Sequence, residues 1–403
     1  MFFDHIVIGS GLSALATSLG LSEHSRRICI IGGGAKGFRY YPGTKVPATF
    51  VGVGGLGQYW HGVIPLSFHH RPFGVDEGSW DRLAEYFYPR SNLQQYMGSN
   101  KYFVPCDPIR PAEAFTPLVK SHLVDFAHDS ALRVSLGSDG NSAIVLTEAG
   151  YRVEGRHVWF AAGALNTPAL LARSGLIGTG PRSLSDHVIG YAGRMAATAE
   201  VREMMSAVCR HRGGVLFPFR FGNGRDHLVT LRPARFDFAK LDSGIAKRAV
   251  FGLPASRVVA GIAGNLSPGL VAEAAFNKFG LFAQSAYYSV YVQTVASNAW
   301  WLDESGDLHV SHGSCASDAL RGARATLPFG SVELSRQTDL YLPGIHLHGS
   351  LTVEETNLFG VGRVFKNLHV VDASGLQSIG PEHHSFAMMA AGYARAITIA
   401  KEE

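Results

Sequence analysis

His346, His348, His383 and His384 stand at the two ends of one C-terminal block. Between them a strand-like run, residues 368–371, ends on Asp372. Imidazole titrates near neutrality, so side chains of this type suit the acceptance or donation of a proton at a reacting hydroxyl. At the other end of the chain, Gly9-Ser10-Gly11-Leu12-Ser13-Ala14 matches G-x-G-x-x-A. It lies between a short apolar strand (residues 5–8) and a helix-like run (residues 12–21), with a second strand at residues 28–31. A dinucleotide-binding turn requires that context. Gly9 permits the tight turn, Gly11 lets a pyrophosphate approach the backbone, and Ala14 keeps helix and strand close. The helix N-terminus adds free N–H groups and a positive dipole end. In such units the second strand ordinarily ends in an acid that holds a ribose. Here Ile31 is followed by Gly32-Gly33-Gly34, so another group must hold the ribose or the nucleotide binds less tightly.

A second glycine cluster, Gly52-Val53-Gly54-Gly55-Leu56-Gly57-Gln58-Tyr59-Trp60-His61-Gly62, ends in aromatic residues. Such a loop can run along a cofactor while its aromatics cover a ring. A third segment, Ala161-Ala162-Gly163-Ala164-Leu165-Asn166-Thr167-Pro168-Ala169-Leu170-Leu171-Ala172-Arg173-Ser174-Gly175, follows a strand at residues 152–160. Leu184-Ser185-Asp186-His187 comes soon after it. The C-terminal block reads His346-Leu347-His348-Gly349-Ser350, then Asn367-Leu368-His369-Val370-Val371-Asp372-Ala373-Ser374, then His383.

In this order the four segments resemble the signatures of the glucose–methanol–choline (GMC) oxidoreductases, a family of flavoproteins. The resemblance covers about half the chain; the middle, residues 190–330, carries no family motif. It implies bound FAD, held by Gly9, Gly11, Leu12, Ser13, Ala14, Gly54, Gly55, Tyr59, Trp60, Ala162, Gly163, Asp372, Ala373, His383 and His384. Some sugar-oxidising relatives tether FAD through a His where Tyr59 stands, so the expectation is non-covalent FAD, with His61 two residues away. Gly57 stands where Ser or Thr is common in the family, and the chain is short for it, so the lids of larger members are expected to be missing.

The resemblance also implies the chemistry: oxidation of an alcohol, with hydride passing to flavin N5 while a His takes the hydroxyl proton. The base position, three residues before Gly349, is His346, with His348 as its competitor; His383, eleven after Asp372, would position the alkoxide, with His384 competing. A helix at residues 385–400 would turn its positive end toward the flavin pyrimidine. The substrate is a small hydroxylated molecule, an alcohol or something carbohydrate-like. Oxygen and another electron carrier are both open as acceptor. A lyase or isomerase on the same fold, and a flavin-free binding or assembly protein, are the alternative readings.

The elements that must place these residues are those of an α/β (overall α+β) protein. A Rossmann-like FAD-binding domain is expected from residues 1–75, 100–190 and 335–403, with an antiparallel-sheet substrate domain at 191–334 and a surface excursion at 76–99. Residues 283–294, with Tyr287, Tyr288 and Tyr291, suit sheet, and Leu302 to Leu308 reads as a hairpin turn,.

Bulk properties agree with this reading. The 403 residues are 46% hydrophobic and 17% charged, enough to bury large cores. Glycine, at 47 residues, is well above its usual share of about 7%,. A net charge of +4 without basic runs argues against nucleic acid,. Cys29, Cys106, Cys209 and Cys315 are scattered, which indicates neither disulfides nor a zinc site,. His346, His348, His383 and His384 have no recognised metal-ligand spacing, so no metal is expected. The first strand starts by His5, leaving no room for a signal peptide; the cytoplasm is the default expectation,. The apolar stretch at 249–300 is too interrupted to span a membrane, His69-His70 is expected on an exposed loop, and Met388-Met389 in the core.

Overall fold

Five parallel strands gather the three chain segments that carry the motifs. The computed structural model describes residues 2–24, 27–34, 36–44, 46–67, 75–138, 140–233, 282–311, 316–330, 332–334, 341–360, 364–377 and 379–402. His69, His70, Cys315 and the part of the apolar stretch up to residue 281 lie outside the described residues.

The parallel order is Val124–Asp129, Ile28–Gly33, Phe2–Ile8, Arg152–Phe160 and Leu368–Val370. Antiparallel strands Ala143–Thr147 and Ala131–Leu136 extend the sheet beside Arg152–Phe160. Runs such as Ile28-Cys29-Ile30-Ile31 are buried on both faces, as a parallel sheet covered on two sides demands,. Ile28 and Ile30 join the core under the helices Leu12–Ser22 and Ser385–Glu402, while Cys29 and Ile31 join the core on the opposite face. The two helices approach closely. A Cβ on Gly20 would lie 2.6 Å from the Tyr393 carbonyl oxygen, and one on Gly392 would lie 2.8 Å from the Thr17 hydroxyl on the first helix. Met388 and Met389 are buried there, as expected.

A second, antiparallel sheet is built on two long strands, Arg182–Ala196 and Tyr287–Leu302, paired along most of their length. His227–Pro233 and Leu308–Val310 pair with the second, and Tyr341–Pro343 with the first. The segment boundaries differ from expectation. Arg182–Ala196 already belongs to this sheet, upstream of the expected break at residue 190, and Tyr341–Pro343 joins it from the C-terminal segment. Gly214–Pro218 pairs with Lys101–Pro105 across the expected divide. Residues 76–99 are no surface excursion. The helix Glu77–Phe87 is capped by Asp76, whose carboxylate accepts the Ser79 N–H at 2.6 Å. It buries Trp80 and Leu83, with Trp80 edge-on to Phe386 at 4.8 Å. Its charged outer face hid this apolar stripe. Among the described residues no helix is long and apolar enough to cross a membrane.

One face of the parallel sheet carries a histidine ladder. His5 stands opposite His157, and Trp159 opposite His369. The Trp159 indole N–H donates to His5 Nδ1 at 3.3 Å, His157 and His369 share a 3.0 Å hydrogen bond, and His369 stacks on Trp159 at 4.2 Å. Burial, reinforced by His157 and the Arg156 guanidinium, lowers His5 to about 3. Burial and Arg156 lower His157 to about 4. Burial, then Arg395, His157 and His5, push His369 well below its usual value. The unfolded chain would protonate these imidazoles near pH 6.5, and the folded chain cannot, so the unfolded state binds more protons below that pH. Stability is therefore full above about pH 6.5 and is lost as pH falls toward the folded values. The thermal midpoint should drop between about pH 7 and pH 5. His157→Gln, which keeps a hydrogen-bonding side chain but removes a titrating ring, should make that dependence shallower in calorimetry; an unchanged slope would exclude the ladder as its cause.

Candidate active site

At the C-terminal ends of the parallel strands, where open α/β sheets bind ligands, lies a cleft of about 410 Å³. Its lining includes Gly9, Gly11, Leu12, Ser13, Gly55, Ala162, Gly163, Asp372 and Ala373 of the expected cofactor set. Gly9 takes φ +119°, and a Cβ there would fall 2.3 Å from the Ala161 carbonyl oxygen. The helix Leu12–Ser22 begins at Gly11 with no side-chain cap and no acid in its first turn. Its first N–H groups and dipole are therefore directed at the cleft without a competing side chain. A Cβ on Gly163 would meet nothing within 4 Å, so the cleft is open beside that turn. Bare amides at a helix start together with free space suit a pyrophosphate, so the residues present fit a dinucleotide.

Ala14 does not line the cleft; it is buried in the main core. Gly54 is also outside. Its N–H donates to the Ser10 carbonyl at 2.9 Å, while the Ser10 hydroxyl donates to the Gly52 carbonyl at 3.2 Å. The second glycine loop is thus stitched to the first turn. Tyr59 and Trp60 do not reach the cleft either. Tyr59 is exposed and packs against Phe38 and Phe50, and Trp60 packs on the main core, its carbonyl accepting from Arg110 at 2.8 Å. Phe50 is the aromatic of this region that lines the cleft.

The missing acid after the second strand has a steric reason. A Cβ on Gly32 would lie 2.9 Å from the Ser10 Cβ, on Gly33 2.4 Å from the Val53 side chain, and on Gly34 2.3 Å from the Ser130 hydroxyl. Besides Asp372, the acids that line the cleft are Asp129, at the end of Val124–Asp129, and Glu148, in the turn after Ala143–Thr147, neither of them part of the motif. Asp129 already accepts N–H groups from Ser130 at 2.7 Å and Ala149 at 3.2 Å.

Asp372 lines the cleft with a fully occupied carboxylate. One oxygen accepts the Gly163 N–H (2.7 Å) and the Thr167 hydroxyl (2.5 Å); the other accepts the Ser374 N–H (2.9 Å) and hydroxyl (2.5 Å). A carboxylate offers about four lone-pair sites, so its role is to position the cleft wall. Burial, the larger influence, raises its pKa, and the four donors oppose that.

The histidines gather on the other side of the same segment. Ile345 and Leu347 line the cleft, whereas His346 and His348 join His187 and His384. Ring centroids are 4.6 Å apart for His346–His384, 5.1 Å for His187–His346 and 6.2 Å for His346–His383. His383 packs edge-on against Tyr102 at 5.5 Å. Neither His383 nor His384 lines the cleft. The segment is held from both sides. His348 and Ser185 exchange backbone hydrogen bonds at 2.9 and 3.0 Å, and the Gly349 N–H donates to the Ala373 carbonyl at 3.0 Å. Buried Asp186 accepts the His346 N–H and the Tyr41 hydroxyl, each at 2.7 Å.

All these imidazoles are held neutral. Burial, then His383 and His348, lowers His346 to about 3. Burial, then Arg232 and His61, lowers His383 to about 4. His187 and His384 lie well below their usual value, chiefly through burial, and His348 is lowered by burial against the opposing His346 carbonyl. That carbonyl, 2.9 Å from His348 Nδ1, requires a proton there and leaves the lone pair on Nε2, which has no hydrogen-bond partner among the described residues. Burial pushes the Asp186 carboxyl up to about 7 against its hydrogen bonds. Asp186, His187 and Tyr41 were not assigned roles from sequence, although Leu184-Ser185-Asp186-His187 marked the place of two of them.

No protein-family profile and no curated protein matches the sequence. Solved structures do match the fold. Pyridoxine 4-oxidase from Mesorbium loti is 14% identical, with a TM-score of 0.51 and 99% of each chain covered. A formate oxidase of Aspergillus oryzae RIB40, studied as an arginine variant for the modification of its FAD, is 13% identical, with a TM-score of 0.55, covering 100% of this chain and 98% of its own. A further formate oxidase structure gives 13% identity and a TM-score of 0.53 over the same shares. The chain has the mixed α/β fold of these oxidases.

Removing the Asp372 acceptors would leave the Gly163, Thr167 and Ser374 donors unpaired in the interior. Each such loss costs roughly 1–3 kcal/mol. Asp372→Ala should lower the thermal midpoint and weaken FAD uptake together, read by calorimetry and by fluorescence titration with FAD. Unaltered FAD uptake in a folded variant would remove Asp372 from the cleft's architecture.

Proposed function

We propose that this protein is an FAD-dependent oxidoreductase acting on the CH–OH group of a small hydroxylated substrate, alcohol or carbohydrate-like, with a histidine as base. The observation that carries this reading is the alternation at residues 345–348, where the cleft-lining side chains of Ile345 and Leu347 alternate with the imidazoles of half-buried His346 and buried His348. The fold shared with pyridoxine 4-oxidase and formate oxidase supports it, as do the four sequence segments that resemble the GMC family.

The helix start at residues 9–13 binds the pyrophosphate, and the turn at Ala162 and Gly163 with Ala373 borders the rest of the cofactor. When bound, FAD supplies the hydride acceptor; the acceptor that reoxidises it is oxygen or another carrier. His346 takes the hydroxyl proton through its lone pair. His348, its tautomer set by the His346 carbonyl, is the second lone-pair donor, and His383 orients the substrate oxygen. Asp186 and Tyr41 fix the backbone at His346. Residues outside this wall, centred on the antiparallel sheet, shape the substrate side. FAD is non-covalent in this reading, since neither Tyr59 nor His61 lines the cleft.

The test is anaerobic reduction of the bound flavin by a panel of alcohols and sugars, followed in the visible spectrum. His346→Ala should slow reduction by about 10²- to 10⁴-fold, the usual worth of a general base, with FAD still bound; unchanged kinetics would overturn the assignment. A base with a pKa of about 3 keeps its lone pair in weakly acidic solution. The rate should therefore stay level as pH falls from about 8 to about 5, where a base of ordinary pKa near 6.5 would lose roughly tenfold per unit. An inflection near neutrality that disappears in Asp186→Asn would belong to Asp186 instead.

A further inference from the structure

We propose that His187, His346 and His384 form a binding site for a divalent transition-metal ion, with zinc-class preference. One ring nitrogen from each lies within 4.8 Å of the others. His187 comes from the long antiparallel strand, His346 from the segment after Tyr341–Pro343, and His384 from the residue before the C-terminal helix. Three elements far apart in sequence thus converge on one point.

Two further observations point to a ligand. His346 Nδ1 and His384 Nδ1 are buried with no hydrogen-bond partner among the described residues. Buried polar atoms are ordinarily paired. His187 Nε2 lies 2.7 Å from the Gly380 carbonyl, so it carries the proton and leaves the lone pair on Nδ1, where the Gln293 amide, 3.4 Å away, is the group a metal would displace. Metal-bound imidazoles characteristically donate the other ring N–H to a carbonyl or carboxylate in this way.

The donor set sets the metal class. Three neutral imidazoles without thiolate suit zinc, cobalt, nickel or copper, and exclude a preference for magnesium or calcium. Zn–N bonds of about 2.0–2.1 Å place tetrahedral ligands roughly 3.3 Å apart, so binding would draw the three rings together from their present spacing. Among the described residues the group has three members, so a fourth ligand would come from solvent. No proton need be displaced, because the three rings are already neutral.

Binding has a consequence for the proposed reaction. Ligation uses an imidazole lone pair of His346, which is then unavailable to a substrate hydroxyl. The metal-loaded chain is the inactive form and chelation restores it. This consequence rests on the redox reading; the metal site does not.

Cobalt is the probe, added to the full chain after treatment with chelator and dialysis. One Co²⁺ per chain should bind, with the intense visible bands of a four-coordinate ion, and zinc should displace it. His187→Ala and His384→Ala should each weaken binding at least tenfold, whereas His309→Ala, on the surface, should leave it unchanged. X-ray absorption of the zinc-loaded wild-type chain should count three imidazole ligands, a readout that needs no variant to fold. A spectrum of hydrated cobalt, or binding indifferent to His187 and His384, would overturn the site. Cobalt bound as described in a chain whose stripped form never reduces flavin would uphold the metal site and overturn the redox reading alone.

Discussion

The carboxylate of Asp372 is the point on which the candidate site depends. Its four donors come from the turn after the central strand (Gly163), from the following helix (Thr167) and from its own chain (Ser374). The Gly163 and Thr167 contacts close separations of 209 and 205 residues, so they fix where the C-terminal block meets the rest of the parallel sheet. The Gly349 and Leu351 N–H groups then pair with Ala373 and Ser374, which carries the fixed position on to the histidine segment. Because charge-assisted hydrogen bonds are shorter and more directional than neutral ones, one ionised group can set the relation of cleft and imidazoles.

The imidazoles form the complementary part. A charged residue buried among them would need a partner of opposite sign, yet Asp186, the buried acid that holds the His346 N–H, is itself pushed toward its neutral form. Burial lowers every ring, and repulsion from the neighbouring imidazoles adds to it at His187, His346 and His384, so the cluster is a set of uncharged donors and acceptors. The tautomers of two rings are decided by a hydrogen bond: the Gly380 carbonyl for His187, the His346 carbonyl for His348. One nitrogen each of His187, His346 and His384 lies within 4.8 Å of the others, so at the proposed site a proton and a metal ion would compete for the same atoms.

Local signals were legible where chemistry and backbone geometry coincide. The strand at 152–160, the helix after Gly11 and the C-terminal helix were each set by a glycine or a small-residue run beside an apolar strand. Gly9, Gly11, Ala162, Gly163 and Asp372 all reach the cleft for that reason. Tyr59 and Trp60 lie away from the cleft because Tyr59 packs on Phe38 and Phe50 at the surface and Trp60 on the main core, partners that no local pattern encodes. The role of His187 was hidden because it depends on strand pairing over more than a hundred residues, which no local pattern encodes. The burial of Trp80 was hidden by the acidic residues around it.

The absent ribose acid shows how one local choice forces another. An acid at Gly32 would require Ser10 to move, and Ser10 is the residue that joins the two glycine loops through Gly52 and Gly54. At Gly33 and Gly34 the same space is taken by Val53 and Ser130. The chain therefore cannot hold both this loop-to-turn junction and a side chain at those positions. Recognition at that end of the cleft would fall to backbone N–H groups, to the cations Arg39 and Arg173, to Asp129 at the end of a neighbouring strand and to Glu148 in the turn after another. A nucleotide held mainly through its phosphates gains its affinity from the helix start, whose amides carry no competing acid,. The loss of one ribose contact is thus coupled to a first turn that is braced by the second loop.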